Sequence, residues 1–286
     1  DWQGLWMIVL ASSGNRTWPW SGSGESAESL FAQTYPSLHQ HLKPLQERLM
    51  ARQDKGQHWW ELRSCDYYSA FDEPKIVYGE ITWRSEFAYS AEPLYFLNTS
   101  YVLPTKDLFV LGVLNSPLMW AYFWRNAQHG KDEALRLLGS FMMTLPIAEP
   151  TPLIRAEIEE RVTALLALTT EACNHAHELL NWLRLEFAVE KPGQQLEDFA
   201  HLSGDAFVAE VRKRRPKTAT RLTPAAITEL ISAHTHYATP AQHREAEIRK
   251  LEQGLSDRVN QAYRLTDEDI ELLWRTAPPR MPGRLI

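Results

Sequence analysis

Residues 58–81 of this 286-residue chain read HWWELRSCDYYSAFDEPKIVYGEI. The stretch opens with crowded aromatic side chains: Trp59, Trp60, Tyr67, Tyr68 and Phe71. Pro74 then precedes a short apolar run from Ile76 to Tyr78. Because β-branched and aromatic residues bounded by breakers are typical of strands, we predict a strand at residues 75–81.

Charged residues lie at both ends of this predicted strand. Lys75 stands where the strand begins, and Glu80 stands near its end. Charged groups at strand ends, backed by aromatic side chains, suit a rigid surface that binds another molecule. They form no familiar catalytic constellation.

The composition is that of an ordinary folded protein. Hydrophobic residues make up 44% of the chain and charged residues 23%, and the length leaves room for one large domain or two of ordinary size. Cys65 and Cys173 lie far apart without a CxxC motif, so we predict neither a disulfide nor a zinc site and expect a cytoplasmic location. No apolar run reaches about 18 residues, so we predict no membrane span.

The net charge of the chain and its local distribution of charge point in different directions. A net charge of −6 argues against a surface that is basic throughout, although the field that attracts a ligand is local. One basic cluster lies in the segment VRKRRPKTATR, with Arg212, Lys213, Arg214, Arg215, Lys217 and Arg221. This cluster suits either a solvated helix C-terminus or contact with phosphate groups.

The first residues, DWQGLWMIVLASSGN, carry none of the basic and apolar regions of a signal peptide. The sequence also begins without a methionine, and we therefore expect the chain to be a fragment of a longer protein. Further strands are predicted at residues 6–11, 94–97 and 101–103. A helix is predicted from Pro36 to Arg52, with a kink or a break at Pro44.

The composition changes at LPIAEPTP, residues 145–152, and the sequence after it is almost wholly helical in pattern. We therefore predict a mixed α/β domain over residues 1–146 and a helical domain over residues 147–286. Apolar residues at steps of three and four predict a long helix: Ile158, Val162, Leu165, Thr169, Ala172, Ala176, Leu179 and Leu183.

A second long helix is predicted to open at Thr239, where Pro240 would occupy the first helical position. Shorter helices are predicted near residues 205–215 and 224–235, and a last one after Thr266. Two long apolar stripes in one chain pair most simply as antiparallel helices. The fold class that follows is α+β, with a mixed α/β domain followed by a helical region that contains a long antiparallel helix pair.

Several kinds of catalytic chemistry lack their usual motifs. The sequence contains no GxGxxG, no phosphate-binding GK[ST] loop, no GxSxG and no HExxH. The HxH pairs lie in predicted helices, where residues two apart point to different faces, so we predict no metal site. Asp66 with Glu73 and Lys75 matches a short metal-dependent nuclease pattern, but Pro74 weakens the strand that this pattern needs. A strand with charged ends is the simpler interpretation, and a nuclease stays an alternative.

The order of the segments resembles a known family. HWWELRSCDYYSAFDEPKIVYGEI, then Phe87, LNTSYVLP and LFVLGVLNSPLMWAYF are similar to the TaqI-like C-terminal specificity domain. This is the target-recognition domain of adenine-specific DNA methyltransferases, including type IIG restriction-modification enzymes and related phage-defence methyltransferases. The resemblance covers residues 35–124 best, and LPIAEP and AYRLTDEDIELLW extend it.

The resemblance implies a fragment that reads double-stranded DNA for a methyltransferase domain located upstream. That domain would methylate a flipped adenine with S-adenosylmethionine and an NPPY-type motif. Neither NPPY nor DPPY occurs in this chain, so we predict no catalytic residue, no cofactor and no activity for the fragment itself. The parent enzyme is expected to be a site-specific adenine methyltransferase, with or without endonuclease activity. The alternative is a protein-docking module that couples a methyltransferase to other subunits without contacting DNA.

The DNA-binding candidates fall into three groups. Polar residues at predicted strand ends and turns would face bases: Lys75, Glu80, Trp83, Arg84, Asn98 and Ser100. Basic residues around the aromatic block would hold phosphates: Arg48, Arg52, Lys55 and Arg63. The basic cluster adds Arg212, Lys213, Arg214, Arg215 and Lys217.

Overall fold

The structure is a computed structural model that describes residues 6–96 and 99–283. The first part of the chain contains α1 Ala27–Thr34, α2 Pro36–Leu42, α3 Gln46–Met50, α4 Ser69–Asp72, β1 Lys75–Gly79, β2 Ile81–Thr82, β3 Ala88–Ser90 and β4 Ser100–Leu103. The rest contains α5 Leu108–Leu114, α6 Pro117–Asn126, β5 Gln128–His129, β6 Leu135–Arg136, α7 Gly139–Met142, α8 Pro152–Phe187, α9 Gly193–Glu197, α10 Gly204–Arg214, α11 Pro224–Ala262 and α12 Asp267–Arg275. The predicted α+β class is confirmed.

Packing divides the chain into two compact units. The first unit comprises the chain up to Glu80 together with Ala88–Lys106. The second comprises Ile81–Phe87 and the chain from Asp107 onward. The predicted domain boundary between residues 146 and 147 stays a prediction, and the compact units divide the chain at other positions.

The first unit contains a small antiparallel sheet with the strand order β3-β1-β4. Val77 of β1 lies opposite Ala88 of β3 and opposite Val102 of β4. The predicted strand at 101–103 is therefore confirmed as part of β4. The predicted strand at 75–81 is divided, because pairing with β4 ends at Gly79 and Ile81 pairs with β6 in a second sheet.

Two strand predictions in this unit were wrong for the described residues. Residues 6–11 form no strand, and the Leu10 carbonyl accepts a hydrogen bond of 2.7 Å from Leu62 N–H. Leu10 is buried at 5% exposure while Ile8 is 45% exposed, so the apolar run enters the core only at its end. Residues 94–96 are also outside any strand, and residue 97 lies outside the described residues.

The helix predicted from Pro36 to Arg52 occurs as α2, a 3-10 turn at Lys43–Leu45 and α3. The predicted break at Pro44 is confirmed. Proline lacks the N–H that would continue the α-helical ladder, which explains why the chain tightens into a 3-10 turn at that position.

The second unit is built around α8 and α11, and these long helices are antiparallel as predicted. Near the start of α8, Glu157 forms an ion pair of 2.9 Å with Arg258 of α11. Further along α8, His175 accepts a hydrogen bond of 2.7 Å from Arg244. Residue numbers rise along one helix as they fall along the other, which defines the antiparallel pair.

The prediction that α11 would be two helices was wrong. One helix runs through Pro240, and its N-cap is Thr223, whose hydroxyl accepts from Ala226 N–H at 3.2 Å. Contacts with neighbouring segments support the helix on both sides of the proline. The His234 ring bonds the Phe199 carbonyl, and the Gln242 amide donates to the Ala200 carbonyl at 2.7 Å. Tertiary packing thus outweighs the local preference of proline to end a helix.

A glycine explains why α5 packs against both long helices. A Cβ at Gly112 would lie 2.9 Å from a methyl group of Val162 in α8 and 3.3 Å from one of Leu255 in α11. The absence of a side chain lets the three helices approach one another at this point. Among the described residues, no helix is both long enough and apolar enough to cross a membrane.

Candidate nucleic-acid interface

A buried carboxylate organises the aromatic block of the first unit. Glu61 is 0% exposed, and its side chain accepts hydrogen bonds from Trp20 Nε1 at 2.9 Å, Gln57 N–H at 2.8 Å and Ser13 N–H at 3.1 Å. The Ser13 hydroxyl also donates to it. Burial raises the pKa of Glu61, but the hydrogen bonds from Ser13 and Trp20 outweigh burial, and the net pKa is lowered. Glu61 is therefore an ionised structural group.

The aromatic side chains around Glu61 form the core of this unit. Trp60 is 5% exposed and stacks between the rings of Phe31 at 4.9 Å and His58 at 4.7 Å. Trp20 is 0% exposed and meets Trp60 edge to face. These rings hold the loops before and after them in place and do not offer their faces to a ligand.

Two loops are fixed beside each other by this core. The side-chain oxygen of Asn15 accepts hydrogen bonds from the Ser64 hydroxyl and from Cys65 N–H, each at 2.8 Å. The polar loop at residues 12–16 therefore lies against the segment at residues 63–68. This arrangement brings together exposed side chains that are about fifty positions apart in the sequence.

The exposed side chains of Arg16, Arg63 and Tyr67 form what we call the Arg16–Arg63 surface. The Arg63 guanidinium donates a hydrogen bond to the Tyr67 hydroxyl at 3.2 Å. Tyr67 is 54% exposed. The Arg16 guanidinium lies 4.9 Å from the centre of the Trp18 ring. Planar guanidinium groups suit phosphate oxygens, and an exposed tyrosine adds a polar hydroxyl and an apolar ring.

Sequence reasoning selected Arg63 but missed Arg16 and Tyr67. The signal for Arg16 was present in the loop SSGNRT, where a polar turn carries both an asparagine and an arginine. No local pattern links that loop to Arg63, because the link runs through the side chain of Asn15.

The expectation that Lys75 faces DNA is not supported by its position. Lys75 begins β1 as predicted, but it is 0% exposed and its ammonium donates to the Glu92 carbonyl at 2.9 Å. Burial lowers the pKa of Lys75, although the nearby Asp72, Glu73 and Glu92 carboxylates oppose this change. The lysine therefore serves the packing of the first unit.

The nuclease alternative also lacks support from the described residues. Among them, no three His, Cys, Asp or Glu side chains lie together in a group that could hold a metal ion. Asp66 and Glu73 are exposed, whereas Lys75 is buried and bound to a backbone carbonyl. The three residues of the pattern thus do not share one environment.

Two of the predicted phosphate contacts are directed toward the protein's own backbone. Arg52 donates to the carbonyls of Trp59 at 3.0 Å and Glu61 at 2.9 Å. Lys55 donates to the Met50 carbonyl at 2.8 Å. Both side chains stabilise the turn that leads into the aromatic block, whereas Arg48 on α3 is exposed.

Two further candidates, Glu80 and Ser100, lie where the first unit ends or turns. Glu80 is partly buried and donates its backbone N–H to the Thr99 carbonyl at 3.0 Å. Ser100 begins β4 and pairs with Gly79. Asn98 lies outside the described residues.

Trp83 and Arg84 belong to the second unit. Trp83 is 44% exposed, and its indole Nε1 donates to the Asp132 carbonyl at 3.0 Å. Arg84 is exposed and forms an ion pair of 2.6 Å with Glu86. The candidates that sequence reasoning placed in one group are therefore divided between the two units.

The basic cluster of α10 is only partly available to a ligand. Lys213 and Arg214 form ion pairs of 3.1 and 2.7 Å with Glu210, which is 6% exposed. Arg215 donates to the Phe187 carbonyl at 3.0 Å. Arg212 and Lys217 are exposed.

Comparison with known families identifies two segments of the chain. The fold and its exposed polar surfaces define a mixed α+β module with a helical second part. Residues 33–147 match the TaqI-like C-terminal specificity domain, which confirms the resemblance seen in the sequence. Residues 151–259 match a domain of unknown function, DUF8810. No curated protein matches the chain.

Proposed function

We propose that this chain recognises a specific sequence in double-stranded DNA, as the specificity segment of an adenine-specific DNA methyltransferase. The observation that carries the proposal is the match of residues 33–147 to the TaqI-like C-terminal specificity domain. The Arg16–Arg63 surface supplies a physical basis. Its guanidinium groups are exposed and held on loops that the Glu61 network fixes, so little order is lost when they bind.

The Arg16–Arg63 surface is proposed to contact the DNA backbone and set the position of the module on the duplex. Arginine side chains bind phosphate oxygens through a rigid fork of donors, and each neutralised phosphate releases counterions. Binding through this surface should therefore weaken steeply as salt increases. Arg48 and Arg212 are further exposed cations that we propose as backbone contacts.

The methylation chemistry is proposed to belong to an upstream domain of the parent protein. That domain would bind S-adenosylmethionine and act on an adenine turned out of the duplex. Type IIG restriction-modification and phage defence are the settings that we propose for the parent, and a cytoplasmic location follows from them. This chain would supply the sequence preference and the orientation of the DNA.

The proposal is tested with the 286-residue chain and a pool of fluorescently labelled duplexes of random sequence. We expect the wild-type chain to enrich one sequence and to bind it with strong salt dependence. Arg16→Ala and Arg63→Ala should each weaken binding to every duplex and reduce the salt slope by about one. Lys250→Ala, an exposed cation on α11, is the matched control and should bind as the wild type does. Absence of any salt-dependent binding would contradict the proposal.

A second candidate function is docking of another protein by the helical part. Residues 151–259 form a separate family match, which favours a role of their own for these helices. Leu153 and Leu185 on α8 are 70% and 63% exposed. A chain that binds no duplex but associates with the parent methyltransferase domain in a salt-insensitive manner would favour this function.

A further inference from the structure

A strained hairpin stands out on the second unit. β5 and β6 pair in an antiparallel ribbon, with His129 opposite Leu135, and the turn is closed by a hydrogen bond of 3.0 Å from Ala134 N–H to the Lys131 carbonyl. The central residues Asp132 and Glu133 have φ values of 55° and 61°. Positive φ at both central positions is the requirement of a type I′ turn, which normally carries Asn-Gly.

Side chains with bulk are costly in this conformation. A residue with a Cβ is less stable in the left-handed region than in the right-handed one, and glutamate has no local hydrogen bond that commonly offsets the loss. Strain of this kind persists where the surrounding structure imposes it, and it is concentrated at functional sites. The hairpin is therefore a candidate for a binding site whose ligand contacts the side chains of the turn.

The surrounding residues hold the hairpin firmly. Trp83 Nε1 donates to the carbonyl of Asp132 at the turn. At the other end, the His129 ring bonds the Trp124 carbonyl at 2.7 Å and meets the Trp124 ring edge to face at 4.7 Å. Both ends of the hairpin are thus attached to neighbouring segments, which orders it before any ligand arrives.

The outward row of the sheet carries side chains suited to base edges. Gln128, Arg136 and Ile81 lie opposite one another across β5, β6 and β2, and all three are exposed. The next row is turned inward at Thr82 and Leu135, which are 6% and 0% exposed. The outer row together with the turn therefore forms an exposed edge on a rigid ribbon, and this edge is polar except at Ile81.

The chemistry of this edge favours bases over phosphates. Lys131 is exposed at the turn, but Asp132 and Glu133 beside it are exposed carboxylates that phosphate groups repel. In the major groove the same mixture is useful, because lysine pairs with guanine, glutamine with adenine, and a carboxylate accepts from the cytosine amino group. The groove is wide enough for a two-stranded ribbon.

We propose that the β5–β6 hairpin enters the major groove and reads base edges, with Gln128 and Lys131 as the reading side chains and Trp83 as the residue that positions the turn. This inference rests on the proposed DNA-recognition function. It names the element that confers the sequence preference. Glu133 is the acidic group that would accept from cytosine.

The test compares base preferences, measured with the duplex selected from a random pool by the wild-type chain and with all its single-base variants. Gln128→Ala and Lys131→Ala should each lose about tenfold discrimination at one or two positions while other positions keep theirs. Trp83→Phe keeps an aromatic ring but removes the indole N–H that bonds Asp132, and it should weaken binding to the selected site more than to random duplex. Thermal unfolding of each variant establishes that it is folded.

The results separate this inference from the function on which it rests. If the wild type selects a sequence and the hairpin variants retain the same preference at every position, the hairpin proposal is overturned and the proposed function stands. Equal weakening on all sequences would also overturn base reading, because it is the behaviour of a phosphate contact. If the wild type binds no duplex, both proposals fail. Lys250→Ala again serves as the control and should preserve every preference.

Discussion

The Glu61 carboxylate accepts a hydrogen bond of 2.9 Å from the indole Nε1 of Trp20, which lies 41 positions earlier in the chain. The same carboxylate receives N–H groups from Ser13 and Gln57, so one buried charge joins three separate segments. A buried carboxylate is tolerated only where hydrogen bonds compensate for its lost hydration. The position of the loops that carry Arg16 and Arg63 therefore depends on Glu61.

Glu61→Gln is expected to destabilise the protein. The amide keeps the shape of the side chain, but it replaces acceptors with an NH₂ group that faces N–H donors and it removes the charge that strengthens the bonds. Hydrogen bonds to charged groups contribute about 1.5–3 kcal/mol, so we expect a loss of about 2–4 kcal/mol in the free energy of unfolding. Urea denaturation measures it. Glu47→Gln, an exposed glutamate on α3, should change little, and equal stability of the two variants would contradict the structural role of Glu61.

A second acidic residue predicts how stability depends on pH. Burial raises the pKa of Glu28, but hydrogen bonds from Lys43, His39 and Trp59 outweigh it and lower the pKa to about 2. The folded protein therefore binds this proton more weakly than the unfolded chain, whose reference pKa is 4.5. The stabilising contribution is complete above the unfolded pKa and is lost as the pH falls through about 2.

The measurement for Glu28 is the free energy of unfolding between pH 6 and about pH 2, compared with Glu28→Gln. The wild type should lose stability relative to the variant as the pH falls, because only the wild type takes up the proton at this site on unfolding. Glu25→Gln, on an exposed neighbour, provides the control. Parallel curves for the wild type and Glu28→Gln would refute the prediction.

The sequence predicted regular elements better than it predicted the environments of polar side chains. The paired long helices and β1 follow from apolar spacing, which reports directly on burial of a face. Lys75 shows the limit, because nothing local distinguishes an exposed lysine at a strand entry from one bound to the carbonyl of Glu92, 17 positions away. The aromatic block forms a core, but the group that organises it is Glu61, whose partners Trp20 and Ser13 lie 41 and 48 positions away.

Asn260 on α11 offers a stabilising substitution. The residue is 4% exposed, and within the described chain its Oδ1 is buried without a hydrogen-bond partner. An unpaired buried acceptor costs about 1–3 kcal/mol, so Asn260→Leu is expected to raise the free energy of unfolding by about 1 kcal/mol. Asn115→Ala should act in the opposite direction, because Asn115 bonds both the N–H and the carbonyl of Phe87. A lower midpoint of thermal unfolding for Asn260→Leu would disprove the prediction.

Gly112 is predicted to tolerate no larger residue. A Cβ would lie 2.9 Å from Val162 and 3.1 Å from Ile158, so Gly112→Ala forces α5 and α8 apart. Overpacking of this kind costs about 1–3 kcal/mol, which exceeds the gain expected from the better helix propensity of alanine. The matched change Gly204→Ala meets its nearest atom at 3.4 Å, in ordinary contact with Ile231, and should be nearly neutral. Chemical denaturation measures the free energy of unfolding of both variants. If Gly112→Ala were as stable as the wild type, the helix propensity of alanine would outweigh the overpacking.

At the turn of the β5–β6 hairpin, we expect one substitution to raise the stability of the protein and to lower its discrimination between DNA sequences. Glu133 has a φ of 61°, which glycine adopts without strain, so Glu133→Gly should raise the free energy of unfolding by about 1 kcal/mol. Lys131→Gly is the control for the stability measurement. Because the φ of Lys131 is not positive, glycine relieves no strain there and should lower stability by about 0.5–1 kcal/mol. Because Glu133 is also proposed to accept from cytosine, the more stable variant should discriminate less at one position of the selected duplex. If Glu133→Gly were more stable and discriminated as well as the wild type, the strained residue would have no part in reading DNA.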